Sequence, residues 1–316
     1  MKTAVIGAGR WGTNYIRTFA EIGVEVKWIC ARSEETLKKA SNATKFKANA
    51  TTKYEDILND REVEAVAIVT PGSTHYRIAK DALKEGKHVI VEKPLALNSK
   101  EAQELVDIAR EEGKILMVGH LHRFNTAIRQ IRKDIEAGIF GRIRHINTTG
   151  TGNGPVRSDM SALWYFGPHD ISIAAYLLGK YPKEVSANGA SYLKSGVEDV
   201  VTIDMKFTGN AFAAAFGSWL YPIKRRTVAV VGEKMFAVYD DYEKILRYVD
   251  AKSGSSRNVK FGNEKPLTGQ LRHFIDCAEG NRKPVSDGIE GVRVVKVLEA
   301  ADKSMKAGGK PVKVRI

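Results

Sequence analysis

Two cysteines, Cys30 and Cys277, are all that the 316 residues contain, too few for a disulfide framework. Both lie among apolar neighbours, where a thiol behaves as a small core side chain, so a reducing, cytoplasmic setting is expected. No apolar run approaches the roughly 20 residues that cross a bilayer. What stands in its place is a series of strand-length runs broken by Gly or polar residues, and at 43% apolar the chain can bury a sizeable core. Met1-Lys2 leads directly into a strand pattern, so no signal peptide is expected. There is no internal repeat and no low-complexity linker. A net charge of +13, from 50 Lys and Arg against 37 Asp and Glu, raises nucleic acid as a partner. The excess is diffuse, however, with Lys224-Arg225-Arg226 as its one dense point, and no aromatic residues interleave with it as a single-strand platform requires. A mildly cationic surface that attracts anionic small molecules is expected, with no nucleic acid, membrane or metal partner.

Two grammars of secondary structure are present. Up to about His122, apolar runs at 2–6, 24–30, 65–69, 88–91 and 115–118 alternate with helix-period segments at 11–22, 34–40, 74–85 and 100–111. Gly23, Gly86 and Gly113 stand where C-terminal caps belong. Strands that are apolar throughout and alternate with helices predict a parallel sheet covered on both faces. Beyond that point a helix at 124–137, a strand at 143–151 and a helix at 169–178 are followed by alternating runs at 184–193, 200–207, 212–220, 227–231, 235–239 and 245–249. Helices at 267–278 and 289–305 close the chain. The expected fold is α/β: an N-terminal Rossmann doubly wound parallel sheet over 1–122, and a C-terminal α+β domain over 123–316 with an open, mainly antiparallel sheet.

Gly7-Ala8-Gly9-Arg10-Trp11-Gly12 lies between the first strand and the first helix, the context that separates a dinucleotide fingerprint from a chance glycine cluster. Gly7 permits the tight turn, Gly9 lets backbone amides approach pyrophosphate, and Gly12 lets helix and strand pack closely. The second strand should end in Asp or Glu if a free ribose 2′-hydroxyl is read. It ends instead in Cys30-Ala31-Arg32-Ser33, a guanidinium and a hydroxyl where a phosphate could be held. NADP is therefore the expected cofactor, with NAD possible. Ser33 can also cap the helix that begins at Glu34.

Thr70-Pro71-Gly72-Ser73-Thr74-His75 and Glu92-Lys93-Pro94-Leu95 each follow a parallel strand, at the carboxyl ends where open α/β sheets bind ligands. A Lys so placed can lose hydration and relay a proton. Farther on, Trp164-Tyr165-Phe166-Gly167-Pro168-His169-Asp170 opens a helix with an apolar face. Together with Gly119-His120-Leu121-His122-Arg123-Phe124-Asn125, Arg157-Ser158-Asp159 and Lys283-Pro284-Val285-Ser286-Asp287-Gly288, these pieces run in one order. That order resembles the glucose-fructose oxidoreductase and inositol dehydrogenase (Gfo/Idh/MocA) family over nearly the whole chain.

The resemblance implies a hydride-transfer enzyme in which Lys93 polarises the reacting oxygen and His169 exchanges its proton. Thr70, Pro71, His75 and Glu92 would line the nicotinamide side, and His120, Arg123, Asn125, Arg157 and Asp170 would surround the substrate. It further implies a sugar, cyclitol or nucleotide-sugar substrate, with a UDP-sugar 3-dehydrogenase type among the options, and a homodimer or homotetramer. Four residues before the His, the family usually carries Asp, whereas this chain has Tyr165. A phenol is neutral near pH 7 and supplies no countercharge. Tyr165 could orient by hydrogen bonding, Asp170 or Asp159 could substitute, or the chemistry could be weakened, which leaves an NADP-binding regulatory or scaffold protein as the second reading.

Overall fold

The computed structural model describes residues 1–43, 47–153, 156 and 160–316, apart from the side chain of Asn153. Two compact units emerge from the packing: Met1–Leu121 with Lys265–Val295, and His122–Glu264 with Lys296–Ile316.

The first unit contains β1 (Lys2–Ile6), α1 (Arg10–Glu21), β2 (Glu25–Cys30), α2 (Glu34–Ser41), β3 (Asn49–Thr51), α3 (Tyr54–Asn59) and β4 (Ala65–Ile68). It continues with α4 (His75–Lys84), β5 (His88–Val91), α5 (Ser99–Glu111) and β6 (Leu116–Val118). Its six strands are all parallel, in the order β3-β2-β1-β4-β5-β6. The order reverses beside β1, so the turn between β1 and α1 opens into the crevice where such sheets hold dinucleotides. Val5, Ile29, Val66, Val89 and Ile90 are wholly buried, as strands covered on both faces must be. Every strand and helix that periodicity placed in this region is present to within one residue at either end. The short β3 and α3 had no signal strong enough to stand out from a loop.

The second unit begins with α6 (Thr126–Glu136), β7 (Ile143–Asn153) and α7 (Ala162–Leu178). Then come β8 (Glu184–Ala190), β9 (Val200–Lys206), β10 (Phe212–Ser218), β11 (Leu220–Gly232), β12 (Met235–Asp240), β13 (Ile245–Asp250) and β14 (Ser256–Asn258). After α8 (Pro266–Gly280) and α9 (Gly288–Lys306), β15 (Val312–Lys313) completes a nine-stranded sheet ordered β14-β13-β12-β11-β7-β10-β9-β8-β15. Only the central β7–β10 pair is parallel. Alternation along β9 and β10 buries Val201, Ile203, Met205, Ala213 and Ala215 on one face, and α7 packs against β7, β9 and β10.

Three expectations need correction. The helix carrying His169 starts at Ala162, because Pro168 lies inside it without ending it. The proline forfeits one hydrogen bond to the carbonyl four residues back, a loss that packing absorbs in a helix buried on most sides. β11 begins at Leu220 rather than 227: Leu220 pairs with Asn153 and, after a shift of register, Arg225 and Arg226 resume the ladder with β7. A single cut near 122 also does not describe the packing: Lys265–Val295 returns to the first unit, where Gln270 Nε2 donates to Tyr15 Oη at 3.0 Å and Ser286 Oγ donates to Val118 O at 2.8 Å. Among the described residues, no helix is long and apolar enough to cross a membrane, and no group of His, Cys, Asp and Glu is arranged to hold a metal ion.

Candidate active site

In the first unit the turn after β1 is built by close approach. Gly7 has φ +102°, and a Cβ there would stand 2.6 Å from the Val69 carbonyl group. A Cβ at Gly12 would meet Gly7 O at 2.1 Å, so the helix can rest on the turn only through glycine. At Gly9, by contrast, a Cβ would meet nothing within 4 Å, which leaves an open approach to the backbone. The amides of Gly7 and Ala8 are spent on Cys30 O, each at 2.9 Å, latching the turn to the end of β2. Arg10, Trp11 and Gly12 follow the Gly9 N-cap, and first-turn amides have no acceptor within their own helix. Three outward amides at the positive end of α1, over an open Gly9, fit a pyrophosphate.

At the end of β2, Ala31 is buried and Arg32 is exposed, with no ion pair among the described residues. Ser33 does cap α2: its Oγ accepts from Thr36 N at 3.3 Å. No carboxylate occupies this strand end.

The ends of β4, β5 and β6 bring Thr70, Pro71, His75, Glu92, Lys93 and His120 to the same edge of the sheet. His75 is 1% exposed, with Nδ1 2.7 Å from Pro94 O and Nε2 2.8 Å from Thr70 O. Its ring thus staples the β4 loop to the β5 loop, a positioning duty rather than contact with a ligand. Burial lowers its proton affinity, outweighing the two carbonyls that raise it. Glu92 is likewise committed within the protein. Its Oε1 accepts from Trp11 Nε1 at 2.7 Å and from Tyr15 Oη at 2.6 Å, and its Oε2 accepts from Lys93 N at 3.2 Å. Burial and the adjacent carboxylate push the Tyr15 phenol well above its usual range, so it remains a donor. Gly119 makes room: a Cβ there would lie 3.2 Å from the Glu92 carboxylate. His120 is 2% exposed at the end of β6.

In the second unit the candidates separate. Tyr165 and His169 lie one turn apart on α7 and are half-buried, whereas Phe166 and Asp170 face the sheet and are buried. Tyr165 packs edge-on against Phe166 and Trp219, with centroids 4.8 and 6.1 Å away. The Asp170 carboxylate, 1% exposed, pairs with Arg226 Nη1 at 3.3 Å. The ring against His169 is His122, edge-to-face with centroids 4.8 Å apart. Asp241 accepts from Tyr239 Oη at 2.6 Å, from Asn125 Nδ2 at 3.0 Å and from Lys244 Nζ at 2.9 Å. Burial would raise the Asp241 carboxyl, but Lys244, Tyr239 and the charge of His122 hold it below its ordinary value.

Asn125 is the cap of α6, its Oδ1 accepting from Ala127 N and Ile128 N. Arg123 is buried against α7, donating to Ser172 Oγ at 3.0 Å and lying over the Tyr176 ring. Asn125 thus ties α6 to the end of β12, and Arg123 ties the turn before α6 to α7. Arg157 and Asp159 lie outside the described residues.

Residues 1–120 match the model of an oxidoreductase family with an NAD-binding Rossmann fold, and residues 128–238 match the GFO/IDH/MocA C-terminal domain. The chain belongs to the GFO/IDH/MocA oxidoreductase family. It is 26% identical over 305 residues to the UDP-N-acetylglucosamine 3-dehydrogenase of Acidithiobacillus ferrooxidans, covering 93% of this chain and 94% of that one. The solved structure of that enzyme superposes with a TM-score of 0.88 at 25% identity, over 98% of this chain and 99% of the other. The scyllo-inositol 2-dehydrogenase (NAD(+)) of Bacillus subtilis is also 26% identical, over 98% of this chain and 95% of its own. Levoglucosan dehydrogenase in complex with NADH shares the fold, with a TM-score of 0.90 at 22% identity and coverage of 100% and 99%.

Within this GFO/IDH/MocA chain, sequence reasoning missed Tyr15, Gln270, His122, Asp241 and Arg226. Tyr15 carried a usable signal, standing four residues after Trp11 on one face of α1. The others meet their partners, each within its own unit, only through tertiary topology.

Proposed function

We propose that the chain transfers a hydride between a nicotinamide and a secondary alcohol or ketone of a sugar, cyclitol or nucleotide sugar, with Lys93 and His169 as its catalytic pair. The observation that carries this reading is the anchoring of Glu92. Its carboxylate ties the helix of the dinucleotide turn, through Trp11 and Tyr15, to the backbone of Lys93. A nicotinamide cofactor supplies the hydride acceptor when bound. The Lys93 ammonium polarises the reacting oxygen, and His169 takes the hydroxyl proton during oxidation and returns it during reduction. Tyr165 cannot supply a countercharge, so the negative charge on this side comes from Asp241, acting on His122, whose ring packs on His169.

NADP is the preferred cofactor, with NAD as the alternative, because Arg32 is exposed with no ion pair among the described residues and the strand end lacks an acid. Michaelis constants for both cofactors test this, and a tenfold preference for NAD would overturn it. Turnover is tested by following reduced-nicotinamide absorbance with a panel of sugars, cyclitols and UDP-sugars. The apolar packing of Tyr165 favours a second reading, a regulatory or scaffold protein that binds the cofactor without turnover. Cofactor binding with no turnover across the panel would decide for it.

A further inference from the structure

On the face of the nine-stranded sheet that α7 covers, two cations lie across a strip of bare backbone. Arg226 on β11 stands opposite Gly150 on β7. A Cβ at 150 would be 3.0 Å from Arg226 Cζ and 3.0 Å from Phe166 of α7, and a Cβ at 152 would be 3.2 Å from Lys224 Cγ. Glycine at both positions is therefore what lets the two long side chains lie flat on this face. The Arg226 side chain is 12% exposed, and among the described residues its one polar side-chain contact is the 3.3 Å pair with Asp170. A guanidinium has five N–H donors, so most of its capacity is unspent. Lys224 is exposed, with Nζ 5.3 Å from the centre of the Tyr242 ring and no ion pair among the described residues. Asp241 donates its backbone N–H to Arg226 O at 2.9 Å, but its carboxylate is occupied by Tyr239, Asn125 and Lys244.

The geometry points to an anion strip for the diphosphate of a nucleotide-sugar substrate, with Arg226 as a forked donor and Lys224 as a second point charge. Gly150 and Gly152, two apart on β7, stand about 7 Å from one another, and Arg226 and Lys224 lie across them, so the pair can bracket two phosphoryl groups, whereas a single carboxylate engages one fork. Asp170 directly follows His169 on α7, so its pair with Arg226 sets the strip beside the turn that carries the proposed proton acceptor. This inference rests on the hydride-transfer function proposed above and narrows its substrate.

The test is calorimetric titration of UDP into the full chain already saturated with NADP, which removes the dinucleotide site as a competitor. Uridine serves as the neutral control. UDP is expected to bind with an affinity that falls as salt rises, and uridine not to bind. Lys224→Met, at an exposed position with no ion pair among the described residues, and Arg226→Lys, which keeps the charge for Asp170, should each weaken UDP by about tenfold or more while leaving NADP affinity unchanged. Absence of UDP binding, or wild-type affinity in both variants, overturns the strip. Turnover of a neutral sugar without UDP binding would sink the strip and leave the hydride-transfer function standing. UDP binding without turnover on any panel member would do the reverse.

Discussion

In the first unit, the groups that fit a pyrophosphate are backbone amides on one turn, with Gly7, Gly9 and Gly12 within six consecutive residues. In the second, the polar network beside His169 is built of side chains drawn from the turn before α6, from α7, and from β11 and the residue after β12. Asn125 and Asp241, bonded at 3.0 Å, are 116 positions apart. A site made of backbone writes its requirement into contiguous sequence, because only glycine tolerates φ +102° at Gly7 or the 2.1 Å approach at Gly12. A site made of side chains writes its requirement into topology, and each residue alone looks like an ordinary surface or core group.

The largest expected effect would break that comparison outright. Lys93→Met in the first unit and His169→Ala in the second should each lower turnover by at least about a hundredfold, the usual scale of a lost acid-base group. Near-normal rates in both would mean that neither unit contributes a catalytic side chain. Next comes a paired glycine test within the first unit. Gly12→Ala drives a Cβ into Gly7 O and should cost about 1–3 kcal/mol of stability, whereas Gly9→Ala meets nothing and should leave the melting temperature intact while weakening cofactor binding. Equal losses of stability in the two would show that the turn is not built as described.

A smaller effect is expected at Tyr15. Tyr15→Phe removes one donor from Glu92 and one acceptor from Gln270, so a loss of about 1–2 kcal/mol is expected in chemical denaturation. Cofactor affinity should move less than the catalytic rate, because the lost bond acts through Glu92 on Lys93. The smallest effect concerns pH. Burial lowers the proton affinity of His75, and burial together with Lys114 lowers that of His88. Both imidazoles therefore bind protons more readily in the unfolded chain than in the folded one. Stability should be fully present above the ordinary imidazole range and should fall as pH drops below about 6.5. Melting temperature against pH measures this, and His88→Gln should flatten the slope; an unchanged slope would contradict the assignment.

The parallel sheet was legible because buried strands, helix periods and glycine caps agree at every step from Lys2 to Val118. The exceptions, β3 and α3, are too short for a period to register. The role of Gly7-Gly12 was legible for the same local reason. Glu92 and His75 were found, but their duties were not, because a sequence does not show that Tyr15, Trp11, Pro94 and Thr70 will use up their polar atoms. Arg226 was hidden in a basic run whose other members are exposed. What distinguishes it is Gly150, which lies 76 positions earlier in sequence and opposite it only in the sheet.

The return of Lys265–Val295 to the first unit bears on how the chain is made. Tyr15 is synthesised well before its partner Gln270, which emerges only after the whole of His122–Glu264. Until then the nascent Rossmann sheet lacks α8, the partner of α1, and its Tyr15 hydroxyl lacks the amide that completes its hydrogen bonding. The dinucleotide turn is thus completed by a segment synthesised long after it, and a chain stopped anywhere between that turn and α8 carries every glycine of the fingerprint without the support that holds Glu92 in place.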